Sequence, residues 1–145
     1  ASDVYKRQMF YVLVKTGFGA SLRTFGCNKK RLNTDNFADI EARLDGVVIE
    51  NKDFEDLIKV YDREKALFYC DPPYHKTERH YTVKFTEDDH ERLCRVLHQI
   101  KGRFVLSYND DKYVRDLYKD YNIQAVTRNN SLSSGDFKEV IITNF

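Results

Sequence analysis

Short apolar segments alternate with helical segments from residue 47 to the end of the chain, and this alternation constrains the fold more than any other feature. The apolar segments, which we predict to be strands, are residues 47–50, 66–70, 103–108, 123–127 and 139–143. The predicted helices are residues 54–62, a segment that opens at Thr86 and ends at Gly102, and residues 111–121. Apolar side chains recur in each of them at helical spacing. Strands alternating with helices indicate an α/β fold with a largely parallel sheet.

Capping residues support two of these helices. Asp53 is a potential N-cap for the first, and Thr86 with Asp89 imitates a capping box for the second. Ahead of this region, residues 35–44 are predicted to form a short helix. Residues 10–14 form an apolar segment that we predict to be extended and that leads into a glycine-containing turn region, whereas residues 1–8 show no periodicity and are treated as an uninformative leader.

Composition and charge exclude several classes of protein. The chain carries 24 Lys and Arg against 23 Asp and Glu, so its near-neutral charge alone does not indicate nucleic-acid binding. No apolar run reaches the roughly 18 residues needed to cross a bilayer, and no secretory signal is present, so a cytoplasmic location is expected. The three cysteines have no ligand spacing, and the four histidines are not arranged as a metal motif, so we expect neither disulfides nor a metal site.

One tetrapeptide, Asp71-Pro72-Pro73-Tyr74, follows a predicted strand and combines groups suited to a particular chemistry. The prolines restrict the backbone, so the carboxylate, the Pro72 carbonyl and the ring are held in one geometry. Two acceptors that grip the N–H bonds of a nucleobase amine would stabilise its developing positive charge. A flipped-out base would stack on the Tyr74 ring, for which the ring rather than the hydroxyl is needed. The alternative is a turn that simply ends the strand.

The motif and its surroundings resemble the Dam-type DNA adenine-N6 methyltransferases of bacteria and phages. The resemblance runs from about residue 10 to residue 145 and is carried by several segments in order. In chain order these are residues 48–54, Asp71–Tyr74, Tyr81 and Phe85 followed by residues 89–93, residues 102–110 and residues 138–144. The resemblance implies a Rossmann-like methyltransferase fold that uses S-adenosylmethionine. It also implies an enzyme that acts on double-stranded DNA, with Asp71, Pro72, Pro73 and Tyr74 as its catalytic motif.

The resemblance also implies roles for residues outside the motif. Asp53 and Phe54 would contact the adenosine part of S-adenosylmethionine, although Asp53 also fits a helix cap. Ser107, Tyr108 and Asn109 would lie beside the flipped-base pocket, with Tyr108 and Asn109 contacting DNA, although Asn109 also fits an ordinary cap. The basic residues Arg23, Lys29, Lys30 and Arg31 would meet phosphates or bases, unless they form a plain solvated face.

The chain departs from the family pattern at one point. The Phe-x-Gly-x-Gly cofactor loop that family members carry ahead of the recognition region is absent, and Gly17–Ser21 lacks the strand-to-helix context that would make it a substitute. We therefore expect a fold incomplete at its N-terminus. Residues 1–8 would be the leader, residues 9–45 the end of the target-recognition region, and residues 46–145 the C-terminal half of the catalytic domain.

The expected activity is methyl transfer to adenine N6 in DNA by the parent enzyme, with this chain inactive alone. The alternatives are a non-catalytic DNA-binding remnant of such an enzyme and an N4-cytosine methylase.

Overall fold

A computed structural model describes residues 2–16, 37–77, 85–129 and 136–145. The chain divides into two compact units, Ala1–Ile49 and Glu50–Phe145. Within the described residues, the first unit holds two helices, α1 (Ser2–Thr16) and α2 (Phe37–Leu44). Helix α2 confirms the helix predicted for residues 35–44.

Helix α1 corrects one sequence prediction, because residues 10–14 are helical rather than extended, and most of residues 1–8 belong to the same helix. An unbroken run of five apolar residues has neither the period of a strand nor that of a helix, so its pattern does not decide between them. The flanking residues favour the helix. Asp3 lies in the first turn and Lys15 in the last, where their charges complement the helix dipole.

The second unit contains three helices and four strands among the described residues. In chain order they are α3 (Phe54–Tyr61), β1 (Leu67–Cys70), α4 (Glu87–Gln99), β2 (Arg103–Asn109), α5 (Lys112–Leu117), β3 (Asn122–Asn129) and β4 (Asp136–Thr143). All seven were predicted, with boundaries shifted by a few residues. The strand predicted at residues 47–50 is absent, and Val48 and Ile49 are 72% and 82% exposed. No described strand pairs with this segment, so the prediction was wrong.

The predicted caps are present. The Asp53 carboxylate accepts a hydrogen bond from the backbone N–H of Glu55 and begins α3. Thr86 and Asp89 form a reciprocal capping box at the start of α4. These caps satisfy backbone N–H groups that have no partner inside the helix, and they fix where each helix leaves the preceding loop.

The four strands form one sheet in the order β1-β2-β4-β3. Strands β1 and β2 are parallel, whereas β4 is antiparallel to both of its neighbours. Strands β1, β2 and β3 therefore run in the same direction, but β1 and β2 are the one parallel pair of neighbours in the described sheet. The prediction of a largely parallel sheet is thus correct for the direction of β1, β2 and β3. It is wrong for the hydrogen-bonded neighbours, because β4 pairs antiparallel with both β2 and β3. The connection at residues 130–135 is too short for a crossover, so β4 must run antiparallel to β3.

One face of the sheet forms the core. Alternate residues of the two central strands are fully buried on this face, and α3, α4 and α5 contribute the side chains that cover it. The buried set is Ile58, Leu93, Val96, Leu97, Phe104, Leu106, Tyr108, Val114, Tyr118, Val140 and Ile142. Ser107 and Asn109 of β2 and Glu139 of β4 share the opposite face, because paired residues of neighbouring strands point to the same side.

Candidate active site

Three strand ends meet at one edge of the sheet and place the candidate site. Strands β1 and β2 are parallel neighbours, so their carboxyl ends, at Cys70 and Asn109, lie at the same edge. The antiparallel strand β4 begins at this edge, where Glu139 pairs with Asn109. The loop that follows Cys70 carries the Asp71–Tyr74 motif directly into this corner, as predicted for ligand sites in α/β sheets.

A single hydrogen bond fixes the Asp71 carboxylate. The Ser107 hydroxyl donates to Asp71 Oδ1 at 2.8 Å. Ser107 is 5% exposed and belongs to the rigid central strand, whereas Asp71 itself is exposed. No donor among the described residues contacts Asp71 Oδ2 or the Pro72 carbonyl. The motif therefore holds one anchored carboxylate with an acceptor oxygen still available, next to a backbone carbonyl acceptor.

The Tyr74 side chain is anchored at its hydroxyl. The hydroxyl donates to Glu139 Oε1 at 3.2 Å and lies 3.3 Å from Ser107 Oγ. Burial raises the pKa of Tyr74, and the nearby Glu139 and Asp71 raise it further, so the phenol stays protonated at neutral pH. The half-buried ring lies 6.1 Å from the Tyr108 ring. The sequence prediction that only the ring matters therefore left out a contact of the hydroxyl.

The residues after Tyr74 tie the motif to β2 and α5. Thr77 closes a turn onto the Tyr74 carbonyl through its backbone N–H at 2.9 Å and its hydroxyl at 2.8 Å. Lys76, inside this turn, has a φ of 65°, a conformation that costs energy for a residue with a side chain. Such strain persists where surrounding contacts enforce it. Here those contacts hold the end of the motif in place.

His75 makes the shortest of these contacts. It is 4% exposed, its Nδ1 lies 2.6 Å from Asp111 Oδ2, and its ring stacks on Tyr113 with centroids 4.3 Å apart. Burial opposes ionisation of Asp111, but hydrogen bonds from the Val114 N–H and from His75 outweigh it and lower the pKa of this carboxyl. His75 thus links the motif loop to the residue that caps α5.

Two residues predicted to contact DNA occupy different environments. Tyr108 is 0% exposed, and its hydroxyl lies 2.6 Å from His90 Nδ1 inside the core, so it reaches DNA only if the core opens. Tyr108 therefore packs in the core of this structure, and its contact with DNA stays a prediction. Asn109 is half-buried and donates from Nδ2 to the His75 carbonyl at 3.2 Å. Its Oδ1 is buried without a hydrogen-bond partner in the described part of the chain.

Arg92 of α4 engages both residues predicted to contact the cofactor. Its guanidinium binds the Asp53 carboxylate through two hydrogen bonds of 2.7 and 3.0 Å. It also lies 4.1 Å from the centre of the Phe54 ring and reaches Glu55 and Asp89 at 3.3 and 3.0 Å. The hydrogen bonds from Arg92 lower the pKa of Asp53, so this carboxyl is ionised at neutral pH.

The remaining predicted residues divide into those the structure describes and those it does not. The residues outside the described ranges are Arg23, Lys29, Lys30, Arg31, Tyr81 and Gly17–Ser21.

Residues 2–16, 37–77, 85–129 and 136–145 contain no group of His, Cys, Asp and Glu able to hold a metal ion. Cys70 and Cys94 are free thiols. In the same ranges, no helix is long and apolar enough to cross a membrane.

Fold and site together define an α/β protein with a carboxylate, two prolines and an aromatic ring fixed at the end of a parallel strand. A family model of the D12 class N6 adenine-specific DNA methyltransferases matches residues 6–132. The match covers most of the sequence, and the chain therefore belongs to this family. The resemblance inferred from the sequence is confirmed, and the family identifies DNA adenine methylation as the activity and DNA as the substrate.

The predicted cofactor contacts can be tested against the geometry. Among the described residues, Asp53 Oδ1 accepts from two donors, the Glu55 N–H and Arg92, whereas Oδ2 accepts from Arg92 alone. The carboxylate side chain is 43% exposed, so Oδ2 has room for one further donor such as a ribose hydroxyl. Arg92 lies over the Phe54 ring, so a purine that stacks on the same face would compete with it. The residues present fit a sugar hydroxyl better than a stacked base.

Sequence reasoning missed three residues of this region: His75 as a buried partner of Asp111, Arg92 as the partner of Asp53, and Glu139 as a partner of the motif. Ser107 was expected near the pocket, but not as a donor to Asp71. Tyr74 and Glu139 are 65 residues apart in the chain, so no local pattern could pair them. For Arg92, the spacing from Asp89 to Arg92 on one helix face was an available signal.

Proposed function

We propose that this chain carries the target-amine site of an S-adenosylmethionine-dependent DNA adenine-N6 methyltransferase. The observation that supports this most is the anchored Asp71 carboxylate. Ser107 fixes Oδ1, while Oδ2 and the Pro72 carbonyl accept no hydrogen bond from the described residues. An exocyclic amine has two N–H donors, and these two acceptors can receive one each.

Asp71 and the Pro72 carbonyl assist the amine in two ways. The adenine amine is a weak nucleophile because its lone pair is delocalised into the ring. Acceptors on both N–H bonds favour the pyramidal form and stabilise the positive charge that develops on nitrogen. Holding the amine in line for attack contributes further, because positioning removes entropy from the barrier. The reaction needs no covalent intermediate on the protein.

Tyr74 would hold the flipped adenine by stacking. A base inside a duplex is out of reach, so it must leave the helix, and an aromatic face can offset about 1–3 kcal/mol of that cost. The hydroxyl contacts to Ser107 and Glu139 fix the ring plane before the base arrives. Preorganisation of this kind lowers the cost of binding, because the ring has less freedom left to lose.

The methyl donor would contact Asp53. When bound, S-adenosylmethionine supplies an electrophilic methyl group on its sulfonium. The Asp53 carboxylate, held ionised by Arg92, would accept a ribose hydroxyl at Oδ2, and Phe54 would border the adenosine. We propose that the complete enzyme has a Rossmann-like sheet, in which β1 and β2 form the part that carries the target site.

The 145 residues contain no Phe-x-Gly-x-Gly loop, so we propose that this chain alone has no methylase activity and binds S-adenosylmethionine no more tightly than millimolar. Calorimetry with the purified chain and with the enzyme expressed from its full reading frame would measure this. Micromolar binding by the 145-residue chain would contradict it.

Product analysis tests the proposed reaction. The full-reading-frame enzyme would be incubated with unmethylated duplex DNA and methyl-labelled S-adenosylmethionine, and the DNA would be digested to nucleosides. Label in N6-methyl-2′-deoxyadenosine is the expected result. Label in N4-methyl-2′-deoxycytidine would favour the cytosine alternative. Retained DNA binding without methylation would favour the non-catalytic remnant, which the absent glycine loop makes a specific second candidate.

A further inference from the structure

We propose that Ser107 and Glu139 are positioning residues for methyl transfer, which hold the Asp71 carboxylate and the Tyr74 ring through one chain of hydrogen bonds. The proposal rests on the proposed function, because it takes Asp71 and Tyr74 as the groups that meet the target base. Neither Ser107 nor Glu139 lies in the Asp71–Tyr74 motif. Both come from the central strands β2 and β4 of the sheet.

Four side chains form this chain of hydrogen bonds. Ser107 Oγ donates to Asp71 Oδ1 at 2.8 Å and lies 3.3 Å from the Tyr74 hydroxyl, which donates to Glu139 Oε1 at 3.2 Å. Ser107 and Glu139 are 5% and 8% exposed, whereas Asp71 is exposed. The chain therefore begins on two buried strands and ends on the group that would face the target amine.

Proton counting gives the chain a direction. Each hydroxyl has one proton, and Ser107 uses its proton on Asp71. In its longer contact with Tyr74, Ser107 Oγ can then act only as an acceptor. The Tyr74 hydroxyl therefore shares its one proton between two acceptors, Glu139 Oε1 and Ser107 Oγ. The two hydroxyls thus link two carboxyl groups at the ends. Loss of the Ser107 hydroxyl therefore changes the contacts of both Asp71 and Tyr74, whereas loss of the Tyr74 hydroxyl removes the contacts with Glu139 and Ser107.

The burial of Glu139 indicates that its carboxyl group has a role other than packing. A carboxyl group in a nearly closed site costs free energy unless polar groups contact it, and an apolar residue would fill a strand position at lower cost. Glu139 faces the same side of the sheet as Ser107 and Asn109, away from the apolar core. Its contact with the Tyr74 hydroxyl fixes the tilt of the ring on which the base would stack.

Asp71 depends on Ser107 for its orientation. Its side chain is exposed, and no other donor among the described residues contacts it, so without Ser107 it would rotate freely about its side-chain bonds. Misplacement of a reacting group by about 1 Å can cost about a hundredfold in rate. We expect Ser107→Ala to lower the single-turnover rate of methyl transfer about 10- to 100-fold. Affinity for DNA and cofactor should change less than about threefold, because Ser107 is buried and acts through Asp71.

The experiment uses the enzyme from its full reading frame and measures the single-turnover rate together with the Kd for DNA and for S-adenosylmethionine. Ser107→Ala removes the donor, and Ser107→Thr keeps a hydroxyl and should restore most of the rate. Thr143→Val is the matched control, because it removes a hydroxyl at the far end of β4 whose one hydrogen bond within the described residues goes to the Phe145 carbonyl. Asp71→Ala in the same assay tests the proposed function separately.

The outcomes separate the two claims. A rate for Ser107→Ala within twofold of wild type, with Asp71→Ala inactive, would overturn the positioning role and leave the proposed function intact. Full activity of Asp71→Ala would overturn the proposed function itself. A slow Ser107→Ala enzyme with unchanged affinities and recovery in Ser107→Thr would support the proposal.

Glu139 provides a second test if Ser107→Ala does not fold. Glu139→Gln keeps an acceptor for the Tyr74 hydroxyl and should stay within about threefold of the wild-type rate, whereas Glu139→Val should lose about tenfold. Tyr74→Phe removes the same hydrogen bond, so combining it with Glu139→Val should cost no more than the larger single change. Fully additive losses, or equal losses for Gln and Val, would overturn the role of Glu139.

Discussion

Replacement of Arg92 by Met tests the ion-pair cluster that holds Asp53 beside the candidate cofactor position. The substitution keeps an unbranched side chain on α4 but removes the guanidinium. The variant lacks the two hydrogen bonds to Asp53, at 2.7 and 3.0 Å, and the contact with Asp89 at 3.0 Å. It also lacks the positive charge that lies 4.1 Å from the centre of the Phe54 ring.

The expected loss of stability is modest because the cluster is partly exposed. The side chains of Arg92 and Asp53 are 30% and 43% exposed, so water screens their attraction. Exposed ion pairs contribute about 0.2–1 kcal/mol each, and an exposed cation–π contact about 0.5–1 kcal/mol. The pairs with Asp53 and Asp89 together with the ring contact give about 1–3 kcal/mol at neutral pH.

The loss should depend on pH in a defined direction. Hydrogen bonds from Arg92 lower the pKa of Asp53, and hydrogen bonds from the Thr86 N–H and then from Arg92 lower the pKa of Asp89. A carboxyl with a lowered folded-state pKa adds stability above its unfolded pKa of about 4, and this stability is lost as the pH falls through the folded pKa. The difference between wild type and Arg92→Met should therefore shrink on acidification.

Urea unfolding of both proteins at pH 7 and at pH 3, followed by circular dichroism, measures this difference. Arg95→Met is the matched control, because Arg95 is exposed on the same helix and forms no ion pair with any described residue. It should leave stability unchanged at both pH values. An equal loss for Arg92→Met at pH 7 and pH 3 would refute an electrostatic role of the cluster, and so would no loss at pH 7.

Two further predictions concern other parts of the chain. Gly102→Ala should destabilise the fold by about 1–3 kcal/mol in urea unfolding, because its new Cβ would lie 2.7 Å from the Ala66 carbonyl oxygen, and an unchanged midpoint would contradict this. In the full-reading-frame enzyme, replacing Lys29, Lys30 and Arg31 by Ala should weaken DNA binding and flatten its log–log salt dependence by about 0.9 per lost phosphate contact. An unchanged slope in a fluorescence titration would make these residues a solvated surface.

Sequence patterns predicted the elements that local chemistry determines. The Thr86 and Asp89 capping box located the start of α4, and apolar spacing located its buried face. Helix α1 was missed because five consecutive apolar residues fit either structure. The antiparallel insertion of β4 was missed because helix and strand alternation gives chain order but not neighbour order.

The candidate site was predictable only in part. The rigid Asp71–Tyr74 motif is contiguous, so the sequence displays it. Its supports are distant in the chain: Ser107 lies 36 residues from Asp71, and Glu139 lies 65 residues from Tyr74. Only the pairing of β1 with β2 and of β2 with β4 brings these residues to one edge. Tyr108 illustrates another difficulty, because a tyrosine near a strand end can pack in the core, where this one is 0% exposed.

Asp71→Ala in the full-reading-frame enzyme tests whether this carboxylate acts on the target amine. Tritiated methyl transfer to duplex DNA would be measured beside calorimetry of S-adenosylmethionine binding, with Asp120→Ala as an exposed control. We expect loss of nearly all methyl transfer, with cofactor affinity within a few fold of wild type and the control unaffected. Methyl transfer above about a tenth of the wild-type rate, a barrier change of less than about 1.4 kcal/mol, would contradict it.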